Sequence, residues 1–209
     1  MRFRLRTTVI AASVAAAALA AGAPSASAGI LVASAPNCTT PVTSQAFRSV
    51  NGDTDFYELV PGGNFEATSK SWSLSGGASV VSGNEPWKVG GGGSSSLLLP
   101  RGSRATTGTM CVGIGNPVMR FFARRTSGWL LDTLAVEVLF EGAGGAVNSL
   151  PIGVVVAGGS WQPTLPFPVL ANLLPLLPGE QTPVAFRFTP VGGGSWQVDD
   201  VYVDPWRSR

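Results

Sequence analysis

The sequence predicts an all-β protein built as an antiparallel β-sandwich. Glycine and proline are abundant, with 27 and 16 residues among 209, and only 12% of the residues are charged. Apolar residues come in short runs separated by turn signals, and no convincing helical period follows residue 28. Such runs are typical of strands that pair with their neighbours along the chain. About 180 residues remain after the first 28, enough for one compact domain that buries roughly two thirds of its unfolded surface.

Residues 1–28 have the organisation of a secretory signal peptide. Three arginines form a basic start, residues 9–21 form an apolar run, and residues 26–28 form a small-residue cleavage site. The apolar run is shorter than the about 20 residues that a membrane span needs. We therefore expect secretion with cleavage after Ala28, and a retained anchor is the alternative.

Export changes the net charge of the chain. The leader holds three of the fourteen basic residues and none of the twelve acidic ones, so the remaining chain carries a net charge of −1 instead of +2. A nucleic acid or an anionic membrane would find little electrostatic support on such a protein. We therefore expect neither as a partner, and we expect an extracellular or cell-wall-associated location.

The chain has two cysteines, Cys38 and Cys111. An oxidising exterior favours a disulfide between them, which would close a loop of about 70 residues and stabilise the fold by roughly 4 kcal/mol in the chain-entropy model. The predicted organisation is a signal peptide over residues 1–28, an N-terminal arm held by the disulfide over residues 29–55, and the sandwich domain over residues 56–209. Two unpaired thiols or a metal pair are the alternatives, although the chain has no histidine to complete a metal site.

The early and middle strands follow from the alternation of apolar and polar residues. Predicted strands cover residues 56–60, 64–66, 72–74, 78–82, 97–99, 106–112, 118–125 and 134–140. Because successive side chains of a strand point to opposite faces, residues 118–125 place Phe121 and Ala123 on one face and Phe122 and Arg124 on the other.

The late strands are bounded by glycine and proline. Predicted strands cover residues 147–156, 161–162, 182–189 and 195–203. The last two are joined by the Pro-Val-Gly-Gly-Gly segment 190–194 and are predicted to form a β-hairpin. An apolar stretch runs from Leu165 to Leu177, but its prolines rule out a central strand there.

Six short motifs occur in a recognisable order. They are Asn64-Phe65-Glu66, Trp72, the strand from Arg120 to Arg124, Trp161-Gln162 after a glycine turn, the strand from Val184 to Phe188, and Asp199-Asp200-Val201. In this order they resemble the galactose-binding-like jelly-roll domain of many extracellular carbohydrate-binding modules, over roughly residues 56–204. The resemblance implies a jelly-roll sandwich, and it implies sugar binding less strongly because one fold serves many ligands. A separate secreted family on this scaffold is the alternative.

The resemblance also implies a structural calcium ion where the first and last strands meet. Glu66 and Asp200 are the implied ligands, with Asp199 as a substitute and Asn64 as a source of a carbonyl oxygen. Calcium takes six to eight oxygen ligands, which two carboxylates and nearby turn carbonyls could supply. The alternative is that these side chains cap turns and protect sheet edges.

Sugar recognition usually needs an exposed aromatic ring with a few hydrogen-bonding groups beside it. Trp87, in a glycine-rich loop, and Trp129, after a Ser-Gly pair, are the candidate platforms, and Glu85 and Arg124 are candidate polar contacts with the ligand. The alternative role for both tryptophans is that of partly buried loop anchors. Three further tryptophans coincide with the family pattern and are expected in the core: Trp72, Trp161 and Trp196.

Catalysis is not expected from this sequence. Without histidine there is neither a Ser-His-Asp triad nor an ordinary catalytic zinc site. The glutamates do not stand in a recognisable acid and nucleophile context for glycoside hydrolysis. We therefore predict a secreted, non-catalytic module that binds extracellular or cell-wall carbohydrate. The first alternative is a structural or adhesive envelope protein that contacts a protein partner through the stretch from Leu165 to Leu177, and the second is a glycoside hydrolase.

Overall fold

The computed structural model describes residues 30–35, 42–66, 71–113, 118–169 and 181–204. The predicted signal peptide, Cys38, and residues 170–177 of the apolar stretch lie outside the described residues. None of the helices within the described ranges could cross a membrane.

Strands make up most of the described structure. The helical segments are α1 (Ile30–Ala33), α2 (Arg48–Asn51) and a 3-10 turn at Ala143–Gly145. The strands are β1 (Thr43–Ser44), β2 (Tyr57–Leu59), β3 (Ser73–Ser75), β4 (Ser79–Ser82), β5 (Ser95–Leu99), β6 (Arg104–Thr106), β7 (Met110–Gly113), β8 (Val118–Ser127), β9 (Thr133–Glu141), β10 (Val147–Val155), β11 (Gln162–Pro163), β12 (Phe167–Pro168), β13 (Gln181–Val191) and β14 (Ser195–Asp204).

The front sheet is built around the last strand. One edge of β14 pairs with β8 over most of its length, and its other edge pairs with β5 and with β2. The sheet extends outward through β4 beside β5, β1 beside β2, and β11 and β12 beside β8. All these pairings are antiparallel.

The back sheet has β9 and β13 at its centre. β9 pairs with β10 on one side and with β13 on the other, and β13 pairs along its second edge with β7 and then β6. β3 completes the sheet beside β6. The hairpin predicted from these two strands is wrong, because β13 belongs to the back sheet and β14 to the front sheet, and the glycine-rich turn between them carries the chain from one sheet to the other.

The core lies between the two sheets and follows the predicted alternation. Phe121 and Ala123 of β8 point inward and are fully buried, as are Val136 and Val138 of β9. Trp196 of β14 is also fully buried there. Each large apolar side chain removed from water in this way contributes about 1.5–3 kcal/mol to folding. The predicted fold class, an all-β antiparallel sandwich, is confirmed.

The beginning and the end of the sandwich lie side by side. The amide of Val60 donates to the carbonyl of Val201 (2.9 Å), and the amide of Val201 donates to the carbonyl of Gly63 (3.0 Å). A Cβ at Gly63 would come within 2.8 Å of the Val201 carbonyl oxygen, so this approach requires glycine. The strand predicted over residues 64–66 is wrong, because the chain turns there and Phe65 has a φ of 55°.

The described parts of the N-terminal arm pack on the outer faces of both sheets. Leu31 of α1 packs against Leu139 and Ala185 of the back sheet. Further along, β1 extends the front sheet through its pairing with β2. Cys111 is buried in β7, and the described residues include no free cysteine. The bridge to Cys38 stays a prediction.

Candidate functional site

The outer face of the front sheet carries a cluster of aromatic rings. Phe122 of β8 points outward and is fully buried by what packs on it. The ring of Phe47, just before α2, stacks on Phe122 at a centroid separation of 5.6 Å. Tyr57 and Tyr202 complete this cluster, so the arm covers one half of the face.

Arg120 fastens the arm to the sheet. It points outward from β8, yet it is only 2% exposed and forms an ion pair with Asp53. Its guanidinium lies 4.2 Å from the centroid of the Phe47 ring, and its Nε donates to the Thr164 carbonyl (3.2 Å). Because Tyr57 is buried and donates its hydroxyl to Asp53, the pKa of the tyrosine is raised. This half of the face is closed to a ligand.

A loop between β4 and β5 lies over the neighbouring part of the face. Its Trp87 ring stacks on Phe122 with the centroids 5.2 Å apart and the planes at 25°. The indole is 40% exposed, so one side of it remains accessible. The carboxylate of Glu85 is buried and accepts hydrogen bonds from the amides of Trp87 and Val89. Glu85 therefore positions Trp87, and its carboxylate faces the protein.

Arg124 lies further along β8 on the same outer face. Its Nε donates to Oε1 of Gln197 at 2.6 Å, and β8 and β14 place these two residues opposite each other. Its guanidinium also lies 5.0 Å from the centroid of the Trp161 ring. Both Arg124 and Trp161 are half-buried.

We call the part of this face around the partly exposed Trp87 and Arg124 the aromatic shelf. It consists of Trp87, Phe122, Arg124, Trp161 and Gln197. Sequence reasoning selected Trp87 and Arg124 but not the other three. The strand alternation did place Phe122 on the same face as Arg124, whereas the pairing of β11 with β8, which brings Trp161 to this face, had no sequence signal.

The tryptophans differ in how well they match expectation. Trp72 and Trp196 are buried in the core, as predicted. The core position predicted for Trp161 is wrong, because its ring packs on the outer face beside Arg124.

Trp129 lies in the turn between β8 and β9, beyond the end of the strand that carries the shelf. Its side chain is 84% exposed, and Leu130 and Leu131 beside it are exposed as well. The carboxylate of Asp132 accepts hydrogen bonds from the amides of Trp129 (2.6 Å) and Gly193 (2.8 Å), which lower its pKa. The turn is therefore ordered by bonds of its own and is not joined to the shelf by a side-chain contact in the described residues.

Four carboxylates gather around the loop of residues 84–95, and we call them the carboxylate cluster: Glu66, Glu85, Asp199 and Asp200. Asp199 accepts from the amides of Glu85 (3.1 Å) and Asp200 (2.9 Å). Asp200 accepts from the amide of Gly90 (3.0 Å). The cluster therefore holds the loop against the end of β14.

Two further contacts join the carboxylate cluster to the loop of residues 84–95. Glu66 accepts hydrogen bonds from the amides of Ser94 (2.6 Å) and Ser95 (2.7 Å). Asp200 occupies a bulge of β14 with a φ of 49°, and a Cβ at Gly90 would come within 1.9 Å of its Oδ1. The loop can approach the bulge this closely only because residue 90 is glycine.

The two aspartates of the cluster have strongly shifted pKa values. Burial raises the pKa of Asp199 to about 8, and the adjacent charge of Asp200 adds to the shift. Burial also raises the pKa of Asp200 to about 7, with a hydrogen bond to Glu85 as the next cause. A proton or a cation would relieve this concentration of negative charge.

The cluster fits a calcium ion only in part. The charge of Glu66 acts on Asp200, which is adjacent to Asp199 in the chain, and Asn64 lies in the turn before Glu66. However, the carboxylate oxygens already accept backbone amides, and within the described ranges no three acidic, cysteine or histidine side chains are grouped as metal ligands. Calcium binding stays a prediction.

No protein-family model and no curated protein sequence matches the chain. The chain aligns with several solved structures of carbohydrate-binding modules. The C-terminal family 22 module of Clostridium thermocellum Xyn10B aligns at 19% identity and a TM-score of 0.46, covering 68% of this chain and 89% of that one. The xylan-binding CBM22-1 domain of Paenibacillus barcinonensis Xyn10C aligns at 12% identity and a TM-score of 0.46, covering 70% of this chain and 93% of that one. TmCBM61, solved with β-1,4-galactotriose, aligns at 15% identity and a TM-score of 0.41, covering 72% of this chain and 98% of that one.

Similarity at this level assigns neither a family nor a ligand to the chain. The sandwich architecture rests on the strand pairing of the chain itself, above all on β14 with β8 and β13 with β9.

Proposed function

We propose that this protein is a secreted, non-catalytic module that binds extracellular or cell-wall carbohydrate on the aromatic shelf. The observation that carries the proposal is the Trp87 indole, which stacks on Phe122 and remains 40% exposed. Arg124, which is held by the buried Gln197, places a polar group on the same face. This combination is what recognition of a pyranose needs, since the ring stacks through its C–H face and its hydroxyls need hydrogen-bond partners.

Preorganisation supports a binding role. The indole of Trp87 is positioned by a buried carboxylate, and the guanidinium of Arg124 is positioned by Gln197 and Trp161. Side chains that are already ordered lose little conformational entropy when a ligand arrives. The shelf would therefore bind a sugar without a large rearrangement.

A non-catalytic role is supported by the burial of the aspartates with raised pKa values. Asp199 is fully buried and Asp200 almost so, and their oxygens are bonded to the loop above them. A general acid must come within hydrogen-bond distance of the bond it protonates. These groups are sealed beneath the loop that carries Trp87, and they do not line the shelf.

The test is binding to a panel of polysaccharides by the wild type and by Trp87→Ala and Trp129→Ala. We expect Trp87→Ala to weaken binding by about tenfold or more, because the variant loses one aromatic stacking contact and the apolar area that this contact buries. Trp129→Ala should change the affinity by less than about twofold, which is below 0.5 kcal/mol. Loss of binding in Trp129→Ala alone would place the site at the β8–β9 turn and overturn the proposal, as would the absence of any polysaccharide binding.

A second candidate function, contact with a protein partner, is favoured by an apolar groove at the sandwich edge. The groove has a volume of about 440 Å³ and lies between the end of β10 and the β11–β12 segment. Val156 and Leu165 line it and are exposed, with Leu165 at 81%. Residues 170–177 of the stretch proposed for this contact lie outside the described residues. Self-association that is measured by sedimentation and lost in Val156→Ser with Leu165→Ser would favour this function.

A structural calcium ion at the carboxylate cluster is retained as part of the proposal. Glu66, Asp199 and Asp200 would hold it, and the ion would neutralise the charge that raises the pKa values of the two aspartates. Its role would be structural, because the cluster supports the loop beneath Trp87. The test is whether calcium raises the free energy of unfolding at pH 8 relative to a chelating buffer.

A further inference from the structure

Arg124 has an unusual setting among the arginines of this chain. It is half-buried on the aromatic shelf, and its guanidinium is restrained both by Gln197 and by the Trp161 ring. The ion pairs of the described residues join Arg120 to Asp53 and Arg187 to Glu137, so neither engages Arg124. A cation is thus ordered on the shelf without an acidic side chain to neutralise it.

The contacts of Arg124 also determine which N–H donors of its guanidinium can bind a ligand. Its Nε is used by Gln197, at 2.6 Å. The two terminal amino groups, Nη1 and Nη2, form the remaining edge of the guanidinium. That edge presents two parallel N–H donors, the geometry that binds both oxygens of one carboxylate.

The neighbouring carboxylates do not compete for this edge. Asp199 lies next to Phe122 in the β8–β14 register, but it is fully buried and both of its oxygens accept backbone amides. Asp200 is directed to the loop amide of Gly90. The shelf therefore presents its positive group outward and keeps its negative groups beneath the loop.

We propose, building on the proposed function, that the carbohydrate of the aromatic shelf is acidic and that Arg124 binds the carboxylate of a uronic acid unit through Nη1 and Nη2. Trp87 stacks on a sugar ring of the same chain. Charge-assisted pairing with a restrained guanidinium is stronger than a hydrogen bond between neutral groups, so Arg124 selects uronate-bearing glycans over neutral ones.

The experiment compares acidic polysaccharides with their own neutral forms. Polygalacturonate, alginate and glucuronoxylan are each used before and after reduction of the carboxyl groups to primary alcohols, which keeps the backbone and removes the charge. Binding is measured by affinity electrophoresis and calorimetry for the wild type, Arg124→Gln and Arg124→Lys. The matched control is Arg101→Gln, which removes the same charge from an exposed arginine in the β5–β6 turn.

We expect the wild type to bind at least one acidic polymer about tenfold or more tightly than its reduced form, the effect of one charge-assisted pair. Arg124→Gln should lose this preference by losing affinity for the acidic polymer, and a thermal unfolding midpoint close to that of the wild type shows that the variant is folded. Arg124→Lys should keep only part of the preference, because an ammonium cannot form the paired contact. Arg101→Gln should keep all of it.

Several results would overturn the inference. Equal affinity for the acidic and reduced forms would do so, and so would a preference that survives in Arg124→Gln or disappears equally in Arg101→Gln. Binding to neutral glycans alone would leave the proposed function standing and remove the uronate assignment. Absence of binding to every polysaccharide, acidic and neutral, would remove both.

Discussion

The indole of Trp87 lies nearly parallel to the ring of Phe122, with the centroids 5.2 Å apart. The two residues come from different parts of the fold, Trp87 from a loop and Phe122 from a central strand of the front sheet. Their contact therefore depends on whatever holds that loop on the sheet. The buried carboxylates of Glu85, Asp199 and Asp200 are bonded to the loop, so they support the shelf from below.

The close approach of the loop to β14 can be tested at Gly90. Gly90→Ala places a Cβ 1.9 Å from Oδ1 of Asp200, so the loop must move away from the bulge. We expect the free energy of unfolding to fall by about 1–3 kcal/mol, the usual cost of overpacking a tight site. Affinity for carbohydrate should fall as well, because Trp87 moves with the loop. Urea denaturation and calorimetry measure the two effects.

The control for this variant is Gly158→Ala. A Cβ there meets no atom within 4 Å, and its φ lies outside the left-handed region. Its stability should be unchanged or raised by up to about 1 kcal/mol through the lower entropy of the unfolded chain. Equal effects of Gly90→Ala and Gly158→Ala on stability would contradict the observed packing.

The ion pair between Arg120 and Asp53 should contribute more to the free energy of unfolding than the pair between Arg187 and Glu137. Asp53→Ala leaves the buried guanidinium of Arg120 without its counter-charge, and we expect a loss of about 3 kcal/mol in the free energy of unfolding. Glu137→Ala breaks a half-exposed contact of 3.5 Å and should cost less than about 1 kcal/mol.

Chemical denaturation of the two variants provides the comparison. Limited proteolysis adds a second measurement, because release of the arm in Asp53→Ala should expose the chain near Phe47 to cleavage. If Asp53→Ala unfolds at the same denaturant concentration as the wild type, then the arm is not fastened to the sheet through Arg120.

The carboxylate cluster predicts that stability falls as the pH rises. The pKa values of Asp199 and Asp200 are raised to about 8 and about 7, so the folded protein keeps protons that the unfolded chain releases near pH 4. The contribution of these two aspartates to the free energy of unfolding is therefore fully present below about pH 4 and is lost as the pH rises toward 8. The slope approaches about 1.4 kcal/mol per pH unit for each retained proton.

Unfolding measured in a chelating buffer at several pH values tests this prediction, with Asp199→Asn as the variant that should flatten the profile. If the cluster also holds calcium, adding the ion at pH 8 should restore much of the lost stability, because a cation replaces the protons. An absence of any calcium effect would count against the ion alone. A flat pH profile in the chelating buffer would count against the buried charges themselves.

The sandwich could be predicted from the sequence because its strands alternate regularly. The alternation of residues 118–125 placed Phe121 and Phe122 on opposite faces, and this is confirmed, since Phe121 lies in the core and Phe122 in the cluster on the outer face. The meeting of the first and last strands, which the resemblance implied, is observed in the pairing of β2 with β14. Alternation is a local property that each strand carries in its own residues.

The covering of the outer face could not be predicted in the same way. Phe47 and Asp53 belong to a segment without strand or helix periodicity, and their contacts with Phe122 and Arg120 join residues that are far apart in the chain. Trp161 was assigned to the core because it coincides with the family pattern, but its place just before β11 is set by the pairing of that strand with β8 and not by a local pattern. The shelf is thus a tertiary feature, of which the sequence indicated only Trp87 and Arg124.

The most direct test of the account is the response of the tryptophan indole N–H signals in an amide-correlated NMR spectrum when an oligosaccharide from the binding panel is added. The six signals can be assigned from single Trp→Phe variants. The account predicts that the signals of Trp87 and Trp161 shift during the titration, while those of Trp129 and the buried Trp72 and Trp196 remain in place. A shift confined to Trp129, or no shift with any oligosaccharide, would contradict the claim that the front-sheet face binds carbohydrate.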